Sequence, residues 1–397
     1  MSFCENKPFK TQKRGICMIL KKIELQNFRN YDKLSMRFCR GINIIYGDNA
    51  QGKTNLLESI YVLGLTRSHR VFIDNNLIRN GSEILTIKGS ISGNSLDKEL
   101  KVQIDNKSKT FKIDDSNIKK VSDYISNMNI IIFYPDDLEI LKGSPQLRRM
   151  YLNVELSQLY NSYYVVNNDY NKILRIRNEY LRKMNQKKEI DQNYFDIITS
   201  YLIEKAITIY QMRHKYIEKI NEYCGYIYRD IMNLEGFHIQ YISNLEIDDM
   251  KDPELKDKLL KKYKEKVEYD KRLCSTTLGP HKDDIVFMLG EQNLKQYGSQ
   301  GQQRVAVLAL KLSEIPIFKK YKDTTPILLL DDVFSELSDD KKNNLIKYIS
   351  KDIQTIITTT ELKNLDRKLI KKSKLFKIEN GKVIKIKEVK DDERTTL

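Results

Sequence analysis

The stretch Ile42-Asn43-Ile44-Ile45-Tyr46-Gly47-Asp48-Asn49-Ala50-Gln51-Gly52-Lys53-Thr54 constrains this chain more than any other. An apolar run of strand character feeds a loop of the form G-x-x-x-x-G-K-[ST], and residues 55–63 continue as a helix. Gly47 and Gly52 let successive backbone N–H groups turn toward one point, and the helix N-terminus adds positive potential there. Gly47, Asp48, Asn49, Ala50, Gln51 and Gly52 thus form a phosphate cradle. Lys53 has the reach for β- and γ-phosphates, and the Thr54 hydroxyl suits Mg²⁺. The first expectation is an α/β nucleotide-binding protein with ATP and Mg²⁺ as its ligands.

A second motif belongs to the same chemistry. Ile327-Leu328-Leu329-Leu330-Asp331 reads as a buried parallel strand. It is expected beside the P-loop strand, bringing the Asp331 carboxylate to the Mg²⁺ sphere. Asp332 follows where ATP-binding-cassette ATPases usually place a glutamate that orients the attacking water. An aspartate reaches less far, so slow hydrolysis is expected, with Lys53 and Asp332 as the catalytic candidates. The alternative is that Asp332 only supports Asp331. Ser299-Gln300-Gly301-Gln302 has the S-x-G-Q form of the cassette signature, placed before an apolar helix. Cassette geometry makes such a signature act in trans on the γ-phosphate of a second subunit, so two subunits would sandwich two ATP molecules. A turn that merely caps its helix is the other reading.

Around these motifs the 397-residue chain changes texture. Residues 1–17 lack periodicity and any apolar core, which predicts a disordered extension, or a mis-called start with Met18 as initiator, and no signal peptide. From Ile19 onward, alternation such as Ile23/Leu25 and Leu100/Val102/Ile104 predicts strands and strand pairs. Residues 144–224 contain no glycine, and apolar residues recur there at helical spacing, which predicts long helices broken near 186–192. A charged helix over 251–272 follows, and the chain ends in a hairpin turning at Asn380-Gly381. The wide separation of Lys53 from Asp331 fits an ATPase head assembled from two halves around an inserted helical arm. The expected divisions are 18–133 for the first half, 134–272 for the arm, 273–390 for the second half and 391–397 for a tail. No apolar run is long enough to span a bilayer. Cys4, Cys17, Cys39, Cys224 and Cys274 are scattered and read as free thiols of a reducing compartment.

The formal charge of +15 favours a polyanionic partner, although a lysine-rich proteome would produce the same balance. Between Asn171 and Ile190, Lys172, Arg175, Arg177, Arg182, Lys183, Lys187 and Lys188 stand against Glu179 and Glu189. That is a candidate phosphate-binding face, as against an ordinary solvated helix face. Arg67 and Arg70 are further DNA candidates, or lie beside phosphate or a carboxylate. His69 and His281 have no neighbouring ligand pattern and make a poor metal site.

One ordered set of motifs carries a family resemblance. It comprises Asn27-Phe28-Arg29-Asn30-Tyr31, the P-loop, Arg67-Ser68-His69-Arg70, Pro135-Asp136-Asp137-Leu138 and Lys142-Gly143-Ser144-Pro145. Arg148-Arg149, residues 279–284, the signature with Gln303-Arg304, and residues 330–337 complete it. From Met18 to about Glu388 the chain resembles the RecF family of bacterial recombinational-repair ATPases, with departures at residues 1–17 and at Ser338, where an acidic residue is common. The resemblance implies a P-loop ABC-type head ATPase with an antiparallel β subdomain and an inserted α-helical arm. It also implies a cytoplasmic protein with weak, DNA-stimulated ATP hydrolysis. Such a protein dimerises on ATP, binds DNA at gaps or single-strand/double-strand junctions, and helps load the recombinase with RecO and RecR. By the same resemblance Arg29 lies near the nucleotide phosphates. Competing readings are a transporter nucleotide-binding subunit, a chromosome-structuring ATPase, an anti-phage ATPase and a plain scaffold.

Overall fold

A computed structural model describes residues 16–71, 73–93, 97–245, 247, 252–336, 339–349 and 353–387. The chain divides into two compact units. The first takes in Met1–Asp137, Arg229–Asn233 and Leu308–Leu397, and the second Leu138–Tyr228 and Leu234–Val307.

The first unit is built on two six-stranded sheets. One runs in the order Lys382–Lys387, Ser373–Glu379, Ile42–Tyr46, Thr355–Thr359, Ile327–Asp331 and Ile130–Phe133, parallel except for its edge hairpin. Its inner strand Ile327–Asp331 is buried throughout, which is why it is almost continuously apolar, and the edge strand Ile130–Phe133 is equally apolar and buried. The second sheet is antiparallel, in the order Tyr31–Arg37, Ile19–Phe28, Ile84–Ser92, Asp97–Asp105, Lys109–Ile113 and Ser116–Asn117. Here alternate residues such as Leu85, Ile87, Leu100 and Val102 are buried, as the period-two pattern requires. The helix Lys53–Leu65 touches strands of both sheets, and Leu56, Leu57, Ile60, Val62 and Leu63 have no exposed surface. Gly89 makes the close approach possible, since a Cβ there would lie 2.3 Å from Leu63.

Three sequence expectations need correction. Asp331's strand does not neighbour the P-loop strand, because Thr355–Thr359 lies between them and pairs with both. The chain after Asp331 returns through the helix Asp339–Tyr348 and enters that gap as another parallel strand. The expected extension over 1–17 is too long, since Ile16–Cys17 pairs in parallel with Thr324–Thr325 and Cys17 is buried. Residues 1–15, Ser338 and the tail lie outside the described residues.

The third correction concerns the arm. The second unit holds the helices Pro145–Leu159 and Asn161–Asn185, most of Gln192–Met232, and Leu255–Leu273, as the periodicity predicts. It also holds 273–307, expected in the head, and a three-stranded sheet of Phe237–Ile242, Asp284–Leu289 and Gln292–Asn293. Buried ion pairs explain the grouping. Arg148 meets Asp284 at 2.5 Å, Arg177 meets Asp270 at 2.9 Å, and Arg213 meets Asp283 at 3.3 Å, all three guanidiniums being buried. Breaking one member of such a pair strands the other charge away from water, so these residues cannot separate cheaply from the helices.

Candidate nucleotide site

The P-loop leaves the strand Ile42–Tyr46, passes Ala50 at φ 62° and Gly52 at φ 109°, and enters the helix Lys53–Leu65. A Cβ at Gly52 would come within 2.7 Å of Asn30 Nδ2 and 2.9 Å of the Tyr31 hydroxyl, so glycine is required there twice over. Tyr31 donates its hydroxyl to Gly52 O at 2.9 Å. Lys53 is 7% exposed, and its ammonium donates to Gly47 O and Asp48 O, both at 2.7 Å. The cation therefore sits inside the curl of the loop, where phosphate oxygens would replace those carbonyls. Burial pulls its pKa below the ordinary lysine value, opposed by the charges of Asp332, Asp331 and Asp48.

The Thr54 hydroxyl donates to Asp331 Oδ1 at 3.1 Å. A hydroxyl and a carboxylate held this close are a hard-oxygen donor set, and they fit Mg²⁺. Burial raises the Asp331 pKa and the Asp332 charge adds to it, while bonds from Thr358 and Thr54 and the charge of Arg70 work downward. Thr358, on the intervening strand, donates to Asp331 Oδ1 at 2.6 Å and accepts the Asp332 N–H at 3.1 Å. Asp332 adopts φ 51°, a left-handed conformation that turns its side chain away from the line of the strand. Its Oδ1 is buried without a hydrogen-bond partner among the described residues. A buried acceptor left open beside Asp331 is suited to a water or a phosphate-bound group.

Sequence reasoning missed Glu58. It lies one turn after Thr54, is fully buried, and takes two bonds from Arg29, at 3.0 Å from Nε and 2.9 Å from Nη2. Ser68 donates to it at 2.6 Å and Arg70 at 3.4 Å. Burial pushes the Glu58 pKa up, but the bonds from Arg29 and Ser68 and the charges of Arg29 and Arg70 outweigh it, and the net shift is downward. Arg70 also donates to Asn55 Oδ1 at 3.0 Å. It thus stands with the P-loop helix and lowers the Asp331 pKa, which is the beside-a-carboxylate alternative for this residue. Arg67 is exposed. His69 packs between the Tyr61 and Tyr134 rings, with centroids at 5.1 and 4.7 Å.

Ser299, Gln300, Gly301 and Gln302 lie in the second unit at the start of the helix Gln300–Leu312. The Ser299 N–H donates to Gln302 Oε1 at 2.8 Å, and the Gln302 N–H donates to Ser299 Oγ at 3.3 Å. That reciprocal pair is a capping box. Ser299 and Gln300 are nevertheless exposed, so both remain open to a ligand.

Arg175, Arg182, Lys183, Lys187 and Lys188 are exposed on Asn161–Asn185 and the turn after it. Arg177 is not part of that face. It has no exposed surface and donates to Asp270 at 2.9 Å, to Thr276 Oγ1 at 2.7 Å and to Thr199 Oγ1 at 3.2 Å. The same end of the unit adds charge from the charged helix expected over 251–272. Asn185 donates to Cys274 Sγ at 3.4 Å, bringing in the end of Leu255–Leu273, where Lys266 and Arg272 flank the exposed Tyr269 ring.

Comparison with known proteins fits this geometry. Residues 19–383 match the model of the RecF/RecN/SMC N-terminal domain. The DNA replication and repair protein RecF of Ligilactobacillus salivarius is 38% identical over 92% of this chain and 97% of its own length. The chain belongs to the RecF family. RecF of Streptococcus suis is 40% identical over 92% of the chain and 99% of its own length. A solved structure of the recombination mediator protein RecF with ATP, of the RecFOR pathway, superposes with a TM-score of 0.87 at 31% identity. It covers 96% of this chain and 100% of its own. The fold is that of an ABC-type head ATPase of the RecF family, with an antiparallel β subdomain and a helical unit. No helix among the described residues is long and apolar enough to cross a membrane.

Proposed function

We propose that this chain is an ATP-switched DNA-binding protein of recombinational repair and replication-fork maintenance in the cytoplasm. One observation carries the reading. Thr54 and Asp331, 277 residues apart, meet at 3.1 Å beside a buried lysine and an Asp332 oxygen that has no partner among the described residues. ATP would lie with its phosphates in the Gly47–Thr54 loop, its γ-phosphate near Lys53, and Arg29 and Arg70 held close by Glu58. Thr54 and Asp331 would hold Mg²⁺, which neutralises phosphate charge when bound. Asp332 would take the proton of the attacking water, and its short side chain keeps hydrolysis slow. The exposed Ser299–Gln302 turn would engage the γ-phosphate of a second copy, giving a dimer on ATP. The basic end of the helical unit, Arg175, Arg182, Lys183, Lys187 and Lys188, would contact DNA phosphates at gaps or junctions. RecO, RecR and the recombinase would be the partners of that complex, as in the RecFOR pathway of the RecF relative.

Sedimentation of the apo protein, with ATP·Mg²⁺, and with ATP·Mg²⁺ plus gapped duplex, tests the switch. The mass is expected to double with ATP, more completely on DNA, and not to change in Lys53→Met or Ser299→Arg. A constant mass with tight ATP binding would refute the trans role of Ser299–Gln302.

A further inference from the structure

The strand Ser373–Glu379 runs parallel to the P-loop strand, with Lys377 opposite Tyr46. Parallel neighbours leave a sheet on the same edge, so the Asn380–Gly381 turn emerges beside the phosphate loop. There it meets one P-loop residue twice. The Asn380 N–H donates to Gln51 Oε1 at 2.6 Å, and the Gly381 N–H donates to Gln51 O at 3.1 Å. Both turn residues are left-handed, at φ 48° and 69°, which aims two consecutive N–H groups the same way. The contact is close along its length, since a Cβ on Gly47 would lie 2.3 Å from Ile378 O. The Asn30–Tyr31 segment packs against the same turn, since a Cβ on Gly381 would lie 3.2 Å from Asn30 O, and the Tyr31 hydroxyl holds Gly52 O.

We propose that the C-terminal hairpin turn Asn380–Gly381 clamps the phosphate loop in its binding shape, with Gln51 as the positioning residue through which it acts. A loop whose N–H groups must converge on one ligand is conformationally expensive to order, and an external clamp lowers that cost before the ligand arrives. The Gln51 side chain is thereby committed to the hairpin, and its contribution to affinity is indirect. This inference rests on the ATP-site reading above.

The test is a double-mutant cycle on ATP affinity, with the apo melting temperature measured alongside. Gln51→Leu removes the side-chain acceptor, and Gly381→Val cannot hold φ 69° and displaces the turn. Each is expected to raise the Kd for ATP·Mg²⁺ roughly tenfold, about 1.4 kcal/mol. KM should rise similarly, with kcat within about twofold. The double variant should be no weaker than the weaker single, because both cut one clamp. Asn380→Gly, which keeps both backbone N–H donors and accepts φ 48°, should stay within about threefold of wild type. Additive losses, an unchanged Kd in Gln51→Leu, or Asn380→Gly as weak as Gly381→Val would overturn the clamp. If Gly381→Val does not melt cooperatively, Gln51→Leu decides alone. Failure of the wild type itself to bind ATP would overturn the site reading together with the clamp, whereas wild-type binding with indifferent variants overturns the clamp only.

Discussion

Replacing Thr358 by valine removes one hydroxyl at nearly constant volume and strikes the proposed Mg²⁺ site through Asp331. The hydroxyl donates to Asp331 Oδ1 at 2.6 Å and accepts the Asp332 N–H at 3.1 Å, so two consecutive carboxylate residues lose their common partner. A hydrogen bond to a charged group contributes about 1.5–3 kcal/mol, a factor of roughly 10–150 at 1.4 kcal/mol per decade. Asp331 keeps the Thr54 hydroxyl at 3.1 Å but loses the shorter of its two bonds, and its pKa, already raised by burial, moves further up. Outer partners of metal ligands typically change affinity by about 10–100-fold, which agrees. The assay is ATP hydrolysis titrated with Mg²⁺ at several pH values. Thr358→Val should need about 10–100-fold more Mg²⁺ for half-maximal rate, with the acid limb displaced to higher pH, while Thr358→Ser stays near wild type. A half-maximal Mg²⁺ concentration equal to wild type, with the apo melting temperature unchanged, would refute the idea that Thr358 tunes Asp331.

Two further outcomes follow from charges placed by the fold. Burial holds the pKa of His69 down to about 3, from an ordinary value of 6.5. The unfolded chain therefore binds the extra proton first: the stabilisation is complete above pH 6.5 and is lost as pH falls toward 3. At pH 5 the loss should be about 2 kcal/mol, and His69→Phe, which forfeits no hydrogen bond of the ring to any described residue, should remove that part of the difference between pH 5 and 7.5 in urea unfolding. An unchanged difference would show that His69 is not held neutral. Charge reversal at the exposed Arg182 and Lys183 should weaken gapped-duplex binding and flatten its salt dependence, by about one unit of log–log slope for each DNA phosphate left without its cation. Equal affinity and slope would remove this end of the helical unit from the DNA interface.

Much of the site was legible because its motifs are local: the loop of residues 47–54, the apolar run into Asp331, and the turn before the Gln300–Leu312 helix each declare themselves within a dozen residues. What stayed hidden depends on partners distant in sequence. Thr358 matters only because its strand enters between two others, and Asn380 only because it meets a residue 329 positions away. Glu58 did leave a signal, a lone carboxylate inside the apolar run Leu56–Ile60, which can be buried only if cations come to it. Arg177 left one too. It falls seven residues after Tyr170 and four before Leu181, both buried, so the helical period assigns it to the core and not to the basic face. The arm boundary was misplaced for the same reason, since the aspartates that neutralise Arg148 and Arg213 are Asp284 and Asp283, beyond residue 272.

The order of strands around the P-loop has a consequence for synthesis. Ile42–Tyr46 is made early, yet both of its neighbours, Thr355–Thr359 and Ser373–Glu379, come from more than three hundred residues later. While the ribosome elongates the chain, the nascent P-loop strand has two open edges and no sheet to join, the situation in which strands aggregate or need shielding by chaperones. Nucleotide binding should then appear abruptly once the chain extends past Glu379, so a translation product stalled before that point would carry the whole Walker A sequence and no working site.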